Sequence, residues 1–244
     1  MKAPAPYLRK CWLPVLAVLG FASLLLRTDV SAVNVSWGST PFDNLYDSSG
    51  AALDASFTFE IGKFANGFVP TYSNMVYWAD NWQVFDRATN GDGWDPTNSW
   101  FTSVANLEST GLSQFSPPLP AYVFAEDDIG YMWIYNSLTF DPLSEWALIG
   151  NTSADANASD DWLFPNPADQ STPTDESWTL LNASEVIVGG LNNVQGDGTF
   201  SATPGTFSLQ TSVVPEPGSV LLLAAAGLLL RLQRGRSGRR LARG

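Results

Sequence analysis

The sequence predicts an all-β fold, an antiparallel β-sandwich or jelly-roll-like domain with one short helix, flanked by an N-terminal signal helix and a C-terminal transmembrane helix. Three observations predict it. Short apolar stretches alternate with polar residues at a period of two and are broken by Gly, Asn and Asp turns. The chain is 45% hydrophobic and 13% aromatic but only 15% charged, which suits a packed core and not a disordered chain. Its longest apolar runs lie at the two ends, each beside basic residues.

The first element, residues 1–32, reads as a signal peptide. Lys2, Arg9 and Lys10 form a positive opening, and residues 11–26 form an apolar stretch interrupted only by Pro14, Gly20 and Ser23. Val30, Ser31 and Ala32 then suit a signal-peptidase site, with cleavage between Ala32 and Val33. An uncleaved anchor is the alternative. Cys11 opens the apolar stretch instead of following it, so a lipid-attachment site is not expected. Cys11 is also the chain's single cysteine, and the exported part would hold no disulfide. Its fold must rest on burial, which roughly 180 residues can provide.

The second element, residues 33–212, is the β domain. Phe57, Phe59 and Ile61 alternate with Thr58, Glu60 and Gly62 as a half-buried strand. Further strands are expected at residues 122–124 and 131–135, at Trp146 with Leu148, at residues 186–188, and at Phe207 with Leu209. Turn signals separate them at Asn66-Gly67, Asn90-Gly91-Asp92-Gly93, Asp128-Ile129-Gly130, Gly189-Gly190 and Gly196-Asp197-Gly198. Met75, Trp78, Ala79, Trp82 and Phe85 fall instead at helical spacing and predict a short amphipathic helix packed on the sheet. Residues 151–177 read as a long polar surface loop pinned by Trp162 and Phe164. No internal repeat is present.

Charge separates this domain from the end of the chain. Residues 33–217 hold two basic residues, Lys63 and Arg87, against 23 acidic ones, a net of −21. Six arginines, Arg231, Arg234, Arg236, Arg239, Arg240 and Arg243, crowd the C-terminus. An acidic domain argues against a nucleic-acid partner. The absence of histidine excludes Ser-His-Asp and Cys-His hydrolases and histidine-ligated zinc.

The third element, residues 213–244, combines three parts. Pro215, Glu216 and Pro217 form a rigid extended segment that cannot enter a helix interior. An uninterrupted apolar run comes next at residues 220–230, with Val220, Leu221, Leu222, Leu223, Leu228, Leu229 and Leu230 as its largest members. The arginines after it stay cytoplasmic by the positive-inside rule, which puts residues 33–217 outside the cytoplasm. Eleven residues cover only about 16 Å of the ~30 Å hydrocarbon core. The span therefore borrows Gly218 and Ser219 on one side, and Leu232 beyond a snorkelling Arg231 on the other.

This tail closely resembles the sorting signal of PEP-CTERM proteins, the exosortase substrates of Gram-negative bacteria that make exopolysaccharide. The resemblance implies that a membrane-embedded exosortase recognises Pro215, Glu216 and Pro217, removes the tail, and passes the protein from an inner-membrane intermediate to the cell surface or extracellular matrix. An ordinary membrane anchor is the alternative. Residues 56–71, Trp78 and Trp82 before an Asp, residues 144–151, and Asp161-Trp162 look more loosely like small exported proteins of the same group, whose members bring no known activity.

The expected function is therefore that of a non-enzymatic exported surface or matrix protein. Its expected processing partners are signal peptidase and exosortase, with exopolysaccharide as a further partner. A carbohydrate-binding module is the alternative. Tryptophans beside Asp and Asn can stack on sugar rings, and Trp94, in a Gly-Asp turn, is the best single candidate. A carboxylate pair for glycoside hydrolysis needs no histidine, but sequence does not select one. No cofactor is expected. Calcium is the one ion the acidic loops suggest, at Asn90, Asp92 and Asp95 or at Glu126, Asp127 and Asp128, and neither segment reproduces a complete calcium loop. Solvated turns are the simpler reading of both.

Overall fold

A computed structural model describes residues 33–113, 122–152, 161–169, 175–192, 194–201 and 206–215. The signal segment, part of the polar insert and the chain beyond Pro215 lie outside the described residues. So do Ala32, Glu216, Pro217, the apolar run and the terminal arginines. Among the described residues no helix is long and apolar enough to cross a membrane.

The domain is mostly β, with one short helical segment, in a curled mixed sheet. In chain order the first strands are β1 (Val33–Gly38), β2 (Leu45–Tyr46) and β3 (Thr58–Phe64). A 3₁₀ turn, Tyr72–Tyr77, runs into one α-helical turn, α1 (Trp78–Asn81). Next come β4 (Trp82–Asn90), β5 (Gly93–Asp95), β6 (Trp100–Leu107), β7 (Tyr131–Tyr135) and β8 (Glu145–Gly150). The last are β9 (Glu176–Thr179), β10 (Glu185–Val188), β11 (Gly190–Leu191), β12 (Val194–Gln195), β13 (Leu209–Gln210) and β14 (Ser212–Val213).

Ten strands share one sheet in the order β10-β8-β7-β3-β4-β5-β6-β1-β9, with β14 also paired to β8. A smaller sheet runs β12-β11-β13-β2. Most neighbours are antiparallel, as expected, but β1 with β9, β4 with β5, and β13 with β2 are parallel. The expectation of a purely antiparallel sheet is corrected to a mixed one. The parallel pairs join segments far apart in sequence or separated by a tight reversal, and no period-2 pattern records which neighbour a strand will choose.

Both faces of the central strands are covered. Along β7, Met132 and Ile134 enter one apolar cluster while Tyr131, Trp133 and Tyr135 enter another. Along β8, Ala147 and Ile149 join the first cluster and Trp146 and Leu148 the second. Period-2 geometry sends successive side chains to opposite faces, so a strand with apolar residues at every position needs a core on each side. The first core is built on Phe59, Phe101, Trp37, Trp162 and Trp178. In the second, Trp78, Trp82, Trp133 and Trp146 pack edge-to-face or stacked, their ring centroids 5.0–5.9 Å apart. Fully burying each large apolar side chain contributes about 1.5–3 kcal/mol before entropy is counted.

The sheet bends at a bulge between Ile61 and Gly62, opposite β4. A Cβ on Gly62 would sit 2.2 Å from the Gln83 carbonyl oxygen and 2.9 Å from the Trp82 ring, so only glycine lets the strands approach there.

Two local expectations are corrected. The helix expected from Met75 to Phe85 stops at Asn81, and Trp82 begins β4. Trp82 pairs with Phe64 in the ladder, and its ring packs edge-on to Phe64 at 5.1 Å. Sheet pairing thus outweighs the helical spacing. Residues 122–124 are not a strand. Phe124 is instead buried by Phe85 and Phe164, at centroid distances of 4.9 and 4.6 Å.

Candidate functional site

Three polar constellations are built into the interior. The first centres on Glu60, a carboxylate with no solvent exposure in β3. Its Oε1 accepts from Arg87 Nε and Nη2, both at 2.5 Å, and from Tyr135 Oη at 2.8 Å, while Oε2 accepts from Trp82 Nε1 at 2.7 Å. The cross-strand register places Glu60 opposite Arg87 of β4 and Trp133 of β7, so one carboxylate braces three strands. Burial, then the Glu60 charge, pushes the Tyr135 hydroxyl far above the ordinary phenol range. Burial and the Glu185 charge push Tyr131 up to about 12.

The second is Asp86, whose Oδ2 accepts from Trp37 Nε1 at 2.7 Å. Burial raises its carboxyl above the usual range, and bonds from Ser103 and Trp37 offset part of that rise. The third is Lys63, 6% exposed, which donates to Asp128 Oδ2 at 2.5 Å and to the Val123 carbonyl at 2.7 Å. Its ammonium also lies 5.4 Å from the centre of the Phe124 ring.

Surface depressions lie beside the third of these groups and at the β5–β6 end of the sheet. One, of about 280 Å³, has the Lys63–Asp128 pair together with Phe64, Phe68, Val69, Ile129 and Tyr131 among its lining. The other, of about 330 Å³, lies where β5 meets β6 and the turn after β4, and both Trp94 and Trp100 line it. Gly93, at φ +83°, lets β5 fit there, since a Cβ would meet the Thr102 carbonyl at 2.8 Å and Ala88 at 2.9 Å.

The sequence candidates distribute unevenly over this geometry. Trp94 is corrected: it is 2% exposed, packs against Phe59 at 4.8 Å, and donates its indole N–H to the Asp54 carbonyl. A ring so enclosed offers no face to a sugar. The Gly-Asp context signalled a turn, but the residue itself faces the core across β3. Trp100, which opens β6, is half-buried on the wall of the same depression.

Three of the acidic residues considered for calcium, Asp95, Glu126 and Asp128, have protein partners for their carboxylates. Asp95 accepts from the Thr97 and Asn98 backbone and from Asn98 Nδ2, and these bonds hold its carboxyl below the usual range. Asp128 accepts from Ala125 N and Lys63, and Glu126 from Asn166 Nδ2. Among the described residues no three acidic side chains gather as a metal site.

At the domain's ends, Val33 opens β1, buried and paired with Leu107 of β6. At the other end Val214 is buried and its N–H donates to the Ser144 carbonyl at 2.8 Å, and Pro215 comes directly after it.

Sequence reasoning does not single out Glu60, Arg87, Lys63 or Trp100 as a site, and it considers Asp128 only as a calcium ligand, not as the partner of Lys63. Lys63 and Arg87 carry one usable signal: they are the only basic residues among the 23 acids of residues 33–217, and each pairs with an acid. Fold and site together define a mostly-β protein with a curled mixed sheet, braced by ion pairs that each have one member buried, with depressions beside Lys63 and Trp100. No protein-family model matches this chain, nor does it match any curated protein or solved structure.

Proposed function

We propose that this chain is a non-enzymatic exported protein of the bacterial surface or extracellular polymer matrix, sorted through its C-terminal tail by an exosortase. The observation that carries the proposal is the order of Pro215-Glu216-Pro217, apolar run and arginine cluster, starting directly after the last strand of the domain. Removal of the tail next to that motif would leave every strand among the described residues in place, since the last of them ends at Val213. Signal peptidase would cut before Val33, and since Val33 is already a buried strand residue, that cut precedes folding of β1. The net charge of −21 on residues 33–217 repels like copies and anionic lipid headgroups, which suits a product destined to leave the membrane. The two apolar cores on opposite faces of the sheet support the finer architecture we propose, a sandwich-like packing.

Intact mass of the protein from its native host, measured separately in membranes and medium, tests this. The expected species begins at Val33 and ends between residues 215 and 218, with any added mass identifying what the new end is joined to. A chain found only in membranes and still carrying residues 221–244 would overturn the sorting proposal.

A further inference from the structure

We infer that the depression between β5 and β6 is a binding subsite for one or two rings of an uncharged sugar, with Trp100 as its stacking surface. Trp100 is half-buried on the wall of the depression, and the strand register sets Asp95 directly opposite it. A rigid amphipathic ring gives large contact area at little entropic cost. Beside it lie the Asn90 amide and the Thr97 and Thr102 hydroxyls, all on exposed residues and with no side-chain hydrogen bond among the described residues. An aromatic face ringed by free donors and acceptors matches a pyranose, which has an apolar face of C–H groups and a rim of hydroxyls. The volume of about 330 Å³ falls at the small end of ligand sites and is open at the top, so a chain of sugars can continue beyond it.

Charge selects among sugars. No lysine or arginine lines the depression, and Asp95 contributes its carboxylate, with Asp92 in the adjoining turn. Phosphorylated, sulfated or uronate sugars would therefore meet repulsion without a compensating cation. Neutral hexoses and N-acetylated amino sugars meet neither obstacle. Gly91, whose Cβ position faces open space, leaves room for their substituents.

The test uses the full chain in a zwitterionic detergent, so that no alkyl glycoside competes, on an array of neutral, N-acetylated and uronate oligosaccharides. Binding is expected to neutral or N-acetylated members and to weaken at least about tenfold in Trp100→Ala. Thr102→Arg, at an exposed position of β6, fills the depression without touching the core and is expected to abolish binding even if Trp100→Ala fails to fold. Silence across the array, preference for uronates, or binding that survives Thr102→Arg would each overturn the inference. Tail processing, read from intact mass, is unaffected by any of these results.

Discussion

Replacing Glu60 by alanine removes the acceptor shared by three donors on β4 and β7. Trp82 Nε1 and Tyr135 Oη are both buried and would lose their acceptor, at about 1–3 kcal/mol each. Arg87 is treated differently: its side chain is 38% exposed and can turn to solvent, so its share of the ion pair is discounted. The sum is roughly 2–6 kcal/mol, a large part of the ~5–15 kcal/mol that keeps a domain folded. Urea denaturation followed by tryptophan fluorescence would read this as a fall in midpoint of about 2 M, taking a slope near 2 kcal/mol/M. Tyr135→Phe provides the contrast. It removes one donor and leaves Glu60 Oε1 still held by Arg87, so the expected loss is about 1 kcal/mol. If Glu60→Ala cost no more than Tyr135→Phe, the carboxylate would not be bracing the three strands and the reasoning would fail.

Two further predictions concern pH. Asp86 has a folded-state pKa above its unfolded value, so its ionised form weakens the native state at neutral pH, and that penalty is relieved as pH falls through the raised pKa towards 3.8. Asp86→Asn keeps an acceptor for Trp37 and should melt at or above the wild-type temperature near neutral pH, with the advantage fading as pH falls towards the unfolded value of 3.8; a variant less stable than wild type by the same margin throughout that range would contradict this. Tyr131 and Tyr135 have raised pKa values, so the stability they contribute is complete below pH ~10 and is lost as pH rises through about 12 for Tyr131. Phenolate absorbance should rise in two stages, the later one coinciding with loss of the folded circular-dichroism signal, whereas one stage near pH 10 in a still-folded protein would refute it.

The central strands are legible in the sequence because their residues leave few alternatives. Tyr131 to Tyr135 is aromatic or apolar throughout and too short for a buried helix. β6 is harder to see although its buried positions, Phe101, Ala105 and Leu107, keep a period of two. Ser103 and Ala105 are too small and too weakly apolar to display it. Glu60 looks like the polar outer member of a half-buried strand, since nothing local announces that a second core covers that face. Its partners lie 22, 27 and 75 residues away. The helix reading around Trp82 fails for a related reason: a residue three or four positions from Trp78 can serve a helix face, but the ring's packing partner, Phe64, sits on a neighbouring strand. Trp94 and Trp100 both come after turn residues, and only the sheet decides which is enclosed and which is left on the surface.

The covering of β7 and β8 on both faces also governs how this protein can change. A strand with one wet face accepts polar substitutions at every second position, whereas Tyr131 to Tyr135 and Trp146 to Gly150 have no such position, all being buried. A mutation anywhere along them meets packed side chains, where removing a large group costs about 2–5 kcal/mol. New specificity is therefore channelled to the turns and the ends of the sheet, such as the rim formed by Asn90, Thr97 and Thr102, whose exposed side chains can be exchanged with little cost to folding. The domain is a fixed frame with an exchangeable rim, whose exposed residues can vary while the packed interior stays almost unchanged.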